Sequence, residues 1–306
     1  MFTKNNNPPS PNEVDNYKEK VNKLIHMKMI KGTLFDKQRG LKLNSTKIIS
    51  VVTGGSQGLG LELVKLLKEL GCTVIIVDIL KPEEKVLDCK NVFYYKCDIS
   101  NIIEVQKLRL KIRIKNGVVS LLINNAGVTN VACLKDMTNE DIDKVMKINL
   151  WGTYLITSLF LDDFLLQKQG FIVNIASILG CITPARLSTY GASKGGQITF
   201  HKCLNKFFEE INDLGGKQLG TLLVCTGKIN TSMFREVETP THILAPDISP
   251  STLAQKIIEA IQTGECYNLK APYYTNLIEV MNKLAWPYKS MIKNLSGMNN
   301  STAIGN

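Results

Sequence analysis

Tyr190 and Lys194 stand four residues apart, the spacing that puts two side chains on one face of a helix. A free phenol titrates near pH ~10, too high for a base in neutral water, but an ammonium beside it favours the ionised form. Such a pair can take a proton from an alcohol as hydride leaves its carbon, or return one in the reverse direction. Ser177 follows an apolar run at 171–175. Arriving from the end of a strand, its hydroxyl can bond the same substrate oxygen and stabilise the charge that develops there.

A hydride needs a carrier, and the chain holds a place for one. The stretch Thr53-Gly54-Gly55-Ser56-Gln57-Gly58-Leu59-Gly60 lies between an apolar run at 48–52 and a helical pattern. Glycines there let the backbone turn tightly and approach a pyrophosphate, whose charge then sits against the helix N-terminus. The next apolar run ends at Asp78. An acid in that place accepts hydrogen bonds from an adenosine ribose hydroxyl and repels a 2′-phosphate, although capping the following loop is a second use for it. Gln57 stands where a basic residue would supply a counter-charge for that phosphate. NAD is therefore expected, with NADP as the alternative.

These residues need a frame that brings strand ends together. From Lys47 onward, short runs rich in β-branched residues alternate with longer amphipathic segments, the pattern of a parallel sheet flanked by helices. Strands are expected at 48–52, 73–77, 92–97, 120–123, 171–175, 221–224 and 266–269. The expected fold is α/β: a Rossmann-type doubly wound parallel sheet of about seven strands. It forms a single dinucleotide-binding catalytic domain over 47–271, between a basic extension at 1–46 and an amphipathic tail at 272–306.

The glycine spacing, Asn124-Asn125-Ala126-Gly127 after the fourth strand, Asn149, Ser177 and Tyr190-Gly191-Ala192-Ser193-Lys194 follow one another in an order that resembles the short-chain dehydrogenase/reductase family over about 47–270. The resemblance implies a CH-OH oxidoreductase with Asn149, Ser177, Tyr190 and Lys194 as catalytic residues. Lys194 would also hold the nicotinamide ribose, and Asn149 would support a water chain that relays the proton to solvent. Thr53, Gly54, Ser56, Gln57, Gly58, Leu59 and Gly60 would cradle the coenzyme, lined further by Asn125, Ala126 and Gly127. Asp98 and Ile99 would lie near the adenine. Gly227, Ile229 and Thr231 would meet the nicotinamide. One position departs from the family: Thr226 stands where the proline of a Pro-Gly pair is usual, before Gly227, and loss of that fixed torsion is expected to loosen the turn.

The same resemblance extends to the hydroxysteroid and retinol dehydrogenase-like branch, including fungal membrane-associated oxidoreductases. It implies a small lipophilic alcohol, steroid, retinoid or fatty alcohol-like, or the matching carbonyl compound. An NADP-dependent carbonyl reductase and a nucleotide-binding scaffold without turnover are the competing readings. A homodimer is a further expectation from the family.

Composition narrows the remainder. Ten basic and four acidic side chains in 1–47 place +6 of the formal +10 charge at the N-terminus. Such a flank suits acidic lipid, or plain solvation, and no nucleic-acid motif accompanies it. Basic amphipathic patterns at 13–31 and 272–298 suit contact with a membrane surface or packing on the domain. No apolar run is long enough to span a bilayer. The eight cysteines show no Cys-x-x-Cys pair, so no metal is expected and the thiols fit an intracellular protein. The cytoplasmic side of the endoplasmic reticulum or a lipid droplet is the expected location, otherwise the cytosol. His26, His201 and His242 are expected on the surface or in packing.

Overall fold

The computed structural model describes residues 40–214, 218–235, 246–264 and 268–276. Residues 1–39 of the basic extension, most of the C-terminal tail, His26 and His242 lie outside the described residues. Seven parallel strands form one sheet: β1 (Ile49–Thr53), β2 (Thr73–Asp78), β3 (Val92–Lys96), β4 (Leu121–Asn124), β5 (Gln169–Ser177), β6 (Gln218–Thr226) and β7 (Asn268–Ala271). Their order is β3-β2-β1-β4-β5-β6-β7. The order reverses between β1 and β4, and the crevice beyond the carboxyl ends of strands at such a reversal is where this architecture binds ligands.

The inner strands β1, β2 and β4 are buried nearly along their whole length because both faces are covered. Val52, Val74 and Ile76 pack with Leu59, Leu63, Leu67, Leu253 and Ile257, which belong to α1 (Gly58–Glu69) and α7 (Pro250–Thr263). Val51, Ile75 and Val77 face the other way, against Leu108, Ile112, Phe160, Phe164 and Phe208. Those come from α3 (Ile102–Lys115), α5 (Thr153–Gln167) and α6 (Ser188–Asp213), while α2 (Glu84–Leu87) and α4 (Asn139–Met146) are shorter connections. Alternation along one strand thus feeds two separate cores.

Strand boundaries differ from the sequence reading where polar residues join the ladder. The runs expected at 171–175 and 221–224 extend to nine residues each, since β5 and β6 pair from Gln169↔Gln218 to Ser177↔Thr226. Pairing rather than hydrophobicity recruits those ends. The described part of the last strand starts at Asn268, with 265–267 outside the described residues.

Two local features aim the site. Between α4 and α5 the chain widens into a π-helical turn, Lys147–Gly152, which carries Asn149. It closes on Ile99, whose Cγ1 would lie 2.8 Å from a Cβ at position 152, so glycine is required there. Helix α6 turns Tyr190, Lys194, Gln197, His201, Leu204 and Phe208 inward at steps of three and four, which places polar chemistry and packing on one buried face.

Candidate active site

A cleft runs along the carboxyl ends of the strands from Gly54, Asp78 and Asp98 at one end, past Asn125, Ala126 and Gly127, to Tyr190, Lys194, Thr226 and Thr231 at the other. Gln57, Gly58, Leu59, Ile99 and Ile229 line it as well. At the first end the glycine turn is closed by contact. Gly54 has φ +64°, and a Cβ at Gly60 would run into the Gly54 carbonyl oxygen. The N-terminus of α1 is thereby left open to the cleft, with no side-chain cap at Gln57. These features fit a bound pyrophosphate: bare N–H groups at a helix start and no side chain in the way.

The turn is also tied to its neighbours. Asp78 accepts from the Ser56 amide through Oδ2 at 3.0 Å and from the Leu80 amide through Oδ1 at 3.0 Å, and the Ser56 hydroxyl donates to the Leu80 carbonyl at 2.6 Å. Each carboxylate oxygen keeps a further lone pair, and the side chain borders the cleft. Thr53 Oγ1 accepts from the amides of Asn125 at 3.0 Å and Ala126 at 3.1 Å, which fastens the end of β4 to the end of β1. Thr53, Ser56 and Gly60 therefore shape the cleft from behind instead of lining it. Asp98 turns its Oδ1 to the Ser100 amide and hydroxyl at 2.9 and 2.8 Å.

At the other end the structure brings Ser177, Tyr190 and Lys194 together. The Ser177 hydroxyl donates to the Thr226 carbonyl at 3.3 Å and lies beside the Tyr190 phenol. The Lys194 Nζ lies 5.8 Å from the centre of the Tyr190 ring and donates to the Ile175 carbonyl at 2.9 Å and Gln197 Oε1 at 2.8 Å. Burial raises the Tyr190 phenol above its ordinary value, and Ser177 beside it offsets only part of that. Burial likewise lowers Lys194 to about 7, against a smaller upward pull from the Cys225 thiol. Without a further charge in the cleft, desolvation outweighs the help that the amine gives the phenol.

Asn149 is fully buried and engaged within the protein. Its Oδ1 accepts from the Val128 amide at 2.8 Å, and its Nδ2 donates to the Val128 carbonyl at 2.9 Å and to Ser193 at 3.0 Å. Its carbonyl accepts from Thr153 Oγ1 at 2.8 Å and Gln197 Nε2 at 2.7 Å. Both lone pairs of that carbonyl are occupied by these two donors. The turn that lacks proline is held by other means: the Gly227 amide donates to the Ala271 carbonyl at 2.8 Å, and the Lys228 amide bonds the Tyr274 phenol. A Cβ at Gly227 would strike that hydroxyl, and the Tyr274 ring packs against Ile178 and Ile182 beyond Ser177.

Comparison with known proteins agrees with this geometry. The profile of the short chain dehydrogenase family matches residues 48–241. The chain belongs to the short-chain dehydrogenase family. An uncharacterised oxidoreductase of Saccharomyces cerevisiae is 44% identical over 261 residues, covering 85% of each chain. Retinol dehydrogenase 10-A of Xenopus laevis is 33% identical over 187 residues, 60% of this chain and 54% of that protein. A solved short-chain dehydrogenase from Streptomyces avermitilis shares the fold with a TM-score of 0.65 at 20% identity, covering 84% of this chain and 99% of its own.

Within this short-chain dehydrogenase two polar features escaped the sequence reading. Gln197 touches both Lys194 and Asn149, and nothing in a lone helical glutamine announces that. Deeper in the sheet, Asn124 Nδ2 donates to Asn174 at 2.7 Å and Thr157 at 2.8 Å, and Asn174 meets His201 Nδ1 at 3.0 Å. Burial lowers His201 to about 4, so this histidine is neutral and serves packing. The doubled asparagine hints at the network only when its partners' positions are known. Among the described residues no helix is long and apolar enough to cross a membrane, and no cluster suits a metal ion.

Proposed function

We propose that this short-chain dehydrogenase interconverts a lipophilic alcohol and its carbonyl counterpart with NAD as coenzyme, Tyr190 exchanging the proton. The observation that carries the reading is the convergence of Ser177, Tyr190 and Lys194 at the cleft that also holds the open glycine turn. The turn from Gly54 to Gly60 would hold the pyrophosphate, Asp78 the adenosine ribose, Asp98 and Ile99 the adenine side, and Thr231 with Ile229 the nicotinamide. When bound, the coenzyme supplies a hydride acceptor, or in its reduced form a donor. Ser177 holds the substrate oxygen, and Tyr190 takes its proton during oxidation or returns one during reduction. Lys194 stabilises the phenolate that this exchange requires.

Asp78 supports NAD, because its free lone pairs suit ribose hydroxyls and its charge opposes a 2′-phosphate. A lipophilic substrate is supported by the surroundings of Tyr190, which include Leu187, Phe234, Val131 and Leu179. Phe234 meets the Tyr190 ring edge-on at 6.0 Å. The similarity to a retinol dehydrogenase points the same way. Contact of the terminal segments with a membrane surface belongs to this proposal, as does a homodimer.

Titration of intrinsic tryptophan fluorescence with NADH and NADPH, followed by turnover on a panel of long-chain alcohols and ketones, tests the reading. NADH is expected to bind at least about tenfold more tightly, roughly the value of one well-placed charged contact. Tyr190→Phe is expected to cut turnover by about 10²–10⁴ while coenzyme binding stays. Tighter NADPH binding would refute the role of Asp78. Turnover that survives in Tyr190→Phe would refute the proton path. Liposome flotation with and without residues 272–306 checks the membrane contact, which equal recovery in solution would remove.

A further inference from the structure

The geometry points to Gln197 as a positioning residue of the site: its carboxamide, anchored on the Asn149 carbonyl and the Thr153 hydroxyl, holds the Lys194 ammonium beneath the Tyr190 phenol. Gln197 and Lys194 lie on one face of α6, and both are buried, at 0% and 4% exposure. The Lys194 Nζ donates to Gln197 Oε1 at 2.8 Å. Gln197 Nε2 donates to the Asn149 carbonyl at 2.7 Å and to Thr153 Oγ1 at 2.7 Å. These partners fix the amide's orientation, since an ammonium only donates and a carbonyl only accepts. Thr153 in turn donates to the same carbonyl at 2.8 Å, so the three groups form a closed bracket between α6 and the π-helical turn.

Every element around Lys194 can be checked for a competing charge. Helix α6 contributes Tyr190 and Gln197, β5 the Ile175 carbonyl, β6 the Cys225 thiol, the π turn Asn149 and the β4 loop Gly127. Among the described residues, Tyr190 and Cys225 are the titratable members of that shell, and no carboxylate appears in it. A buried ammonium faced by neutral acceptors depends on each of them. Two of its three hydrogens are directed to Ile175 and Gln197, and the side chain borders the cleft with Gly127 and Tyr190.

The role deepens the proposed function and rests on it for its catalytic meaning, but Lys194 can be followed without any coenzyme. Protein labelled with ¹³Cε-lysine is titrated from pH ~5 to ~9.5, and the Lys194 signal is assigned by its loss in Lys194→Arg. Gln197→Met keeps the volume and removes the acceptor; the Lys194 midpoint is expected to fall by about one pH unit, the size of one lost hydrogen bond to a charged group. Gln197→Glu sets a carboxylate against the ammonium and is expected to raise the midpoint by about one unit or more. A loss of packing alone would not give opposite signs. In coenzyme-loaded enzyme, Gln197→Met is expected to move the pH-rise of kcat for alcohol oxidation upward, with KM for the alcohol within about twofold.

A Gln197→Met midpoint within about 0.3 unit of the unsubstituted protein overturns the inference. If that variant fails to fold, an unmoved midpoint in Gln197→Glu overturns it equally. Opposite shifts in a protein that turns over no alcohol would leave Gln197 in place and sink the proposed function instead.

Discussion

Lys194→Met offers a test of the site that needs neither coenzyme nor substrate. Burial depresses the ammonium from its ordinary 10.5 to about 7, so between those values the unfolded chain binds nearly one proton more than the folded one. Stability then rises with pH across that window. From pH 7 to 9 the single group contributes a gain of about 2 kcal/mol, the difference between the two titration curves at about 1.4 kcal/mol per unit. Tyr190, Cys72 at about 11 and Cys97 at about 12 are raised by burial. They oppose the gain above pH ~9, but equally in both proteins. Urea unfolding of the original chain and the variant at pH 7, 8 and 9 isolates the effect, because the difference between the proteins cancels the shared groups. The original chain is expected to close on, or overtake, the variant by about 2 kcal/mol from pH 7 to 9, or about 4–8 °C in Tm. The variant leaves the Ile175 carbonyl and Gln197 Oε1 without their donor, which offsets its absolute gain by about 1–3 kcal/mol for each group. The pH slope, rather than the absolute stability, is therefore the observable. Parallel curves within about 0.5 kcal/mol would mean that Lys194 titrates as an exposed lysine, and the buried pair would be wrong.

Gly227→Ala is expected to weaken coenzyme binding and lower Tm, because the new methyl strikes the Tyr274 hydroxyl; in the double variant with Tyr274→Phe the losses should be less than additive, read by melting and fluorescence titration. His201, lowered by burial from 6.5 to about 4, contributes stability present above pH 6.5 that fades as pH falls toward 4. Melts at pH 7 and 5 should show the original chain losing about 2 kcal/mol more than His201→Gln, whose amide still reaches Asn174. Gly60→Ala is expected to abolish coenzyme binding, since its Cβ cannot coexist with the Gly54 carbonyl; equal affinities by titration would place the coenzyme elsewhere.

What the sequence makes legible here is what depends on neighbours in the chain. The apolar runs mark all seven strands because both faces of the sheet are covered, and the Tyr190–Lys194 spacing marks a helix face by itself. The glycine turn is local in the same way: Gly54 and Gly60 meet across six positions. Contacts that join distant segments leave no such mark. Ser56 holds Asp78 across the β1–β2 unit, Tyr274 props the turn at Gly227 in place of a proline, and Gln197 reaches a carbonyl in a π-helical turn. Each of these needs the folded chain to exist before the partner can be named. The π turn itself depends on Gly152 closing over Ile99, a contact with the loop after β3 that no periodicity encodes. Of the terminal amphipathic segments, 13–31 and 277–298 lie outside the described residues.

The two buried groups at the centre pull in opposite senses. Burial keeps the phenol of Tyr190 protonated, and it brings the amine of Lys194 to the verge of losing its charge at neutral pH. Neither tendency favours an anionic base, so the protein alone leaves Tyr190 at rest. The groups described around the pair are neutral: Ser177 beside the phenol, and the Ile175 carbonyl and Gln197 on the amine. In so dry a place a single added positive charge counts for much more than in water, and it would stabilise the phenolate directly. An oxidised nicotinamide carries that charge and its reduced form does not. With a nicotinamide coenzyme bound as proposed, the same burial would link the ionisation of Tyr190 to the coenzyme's redox state.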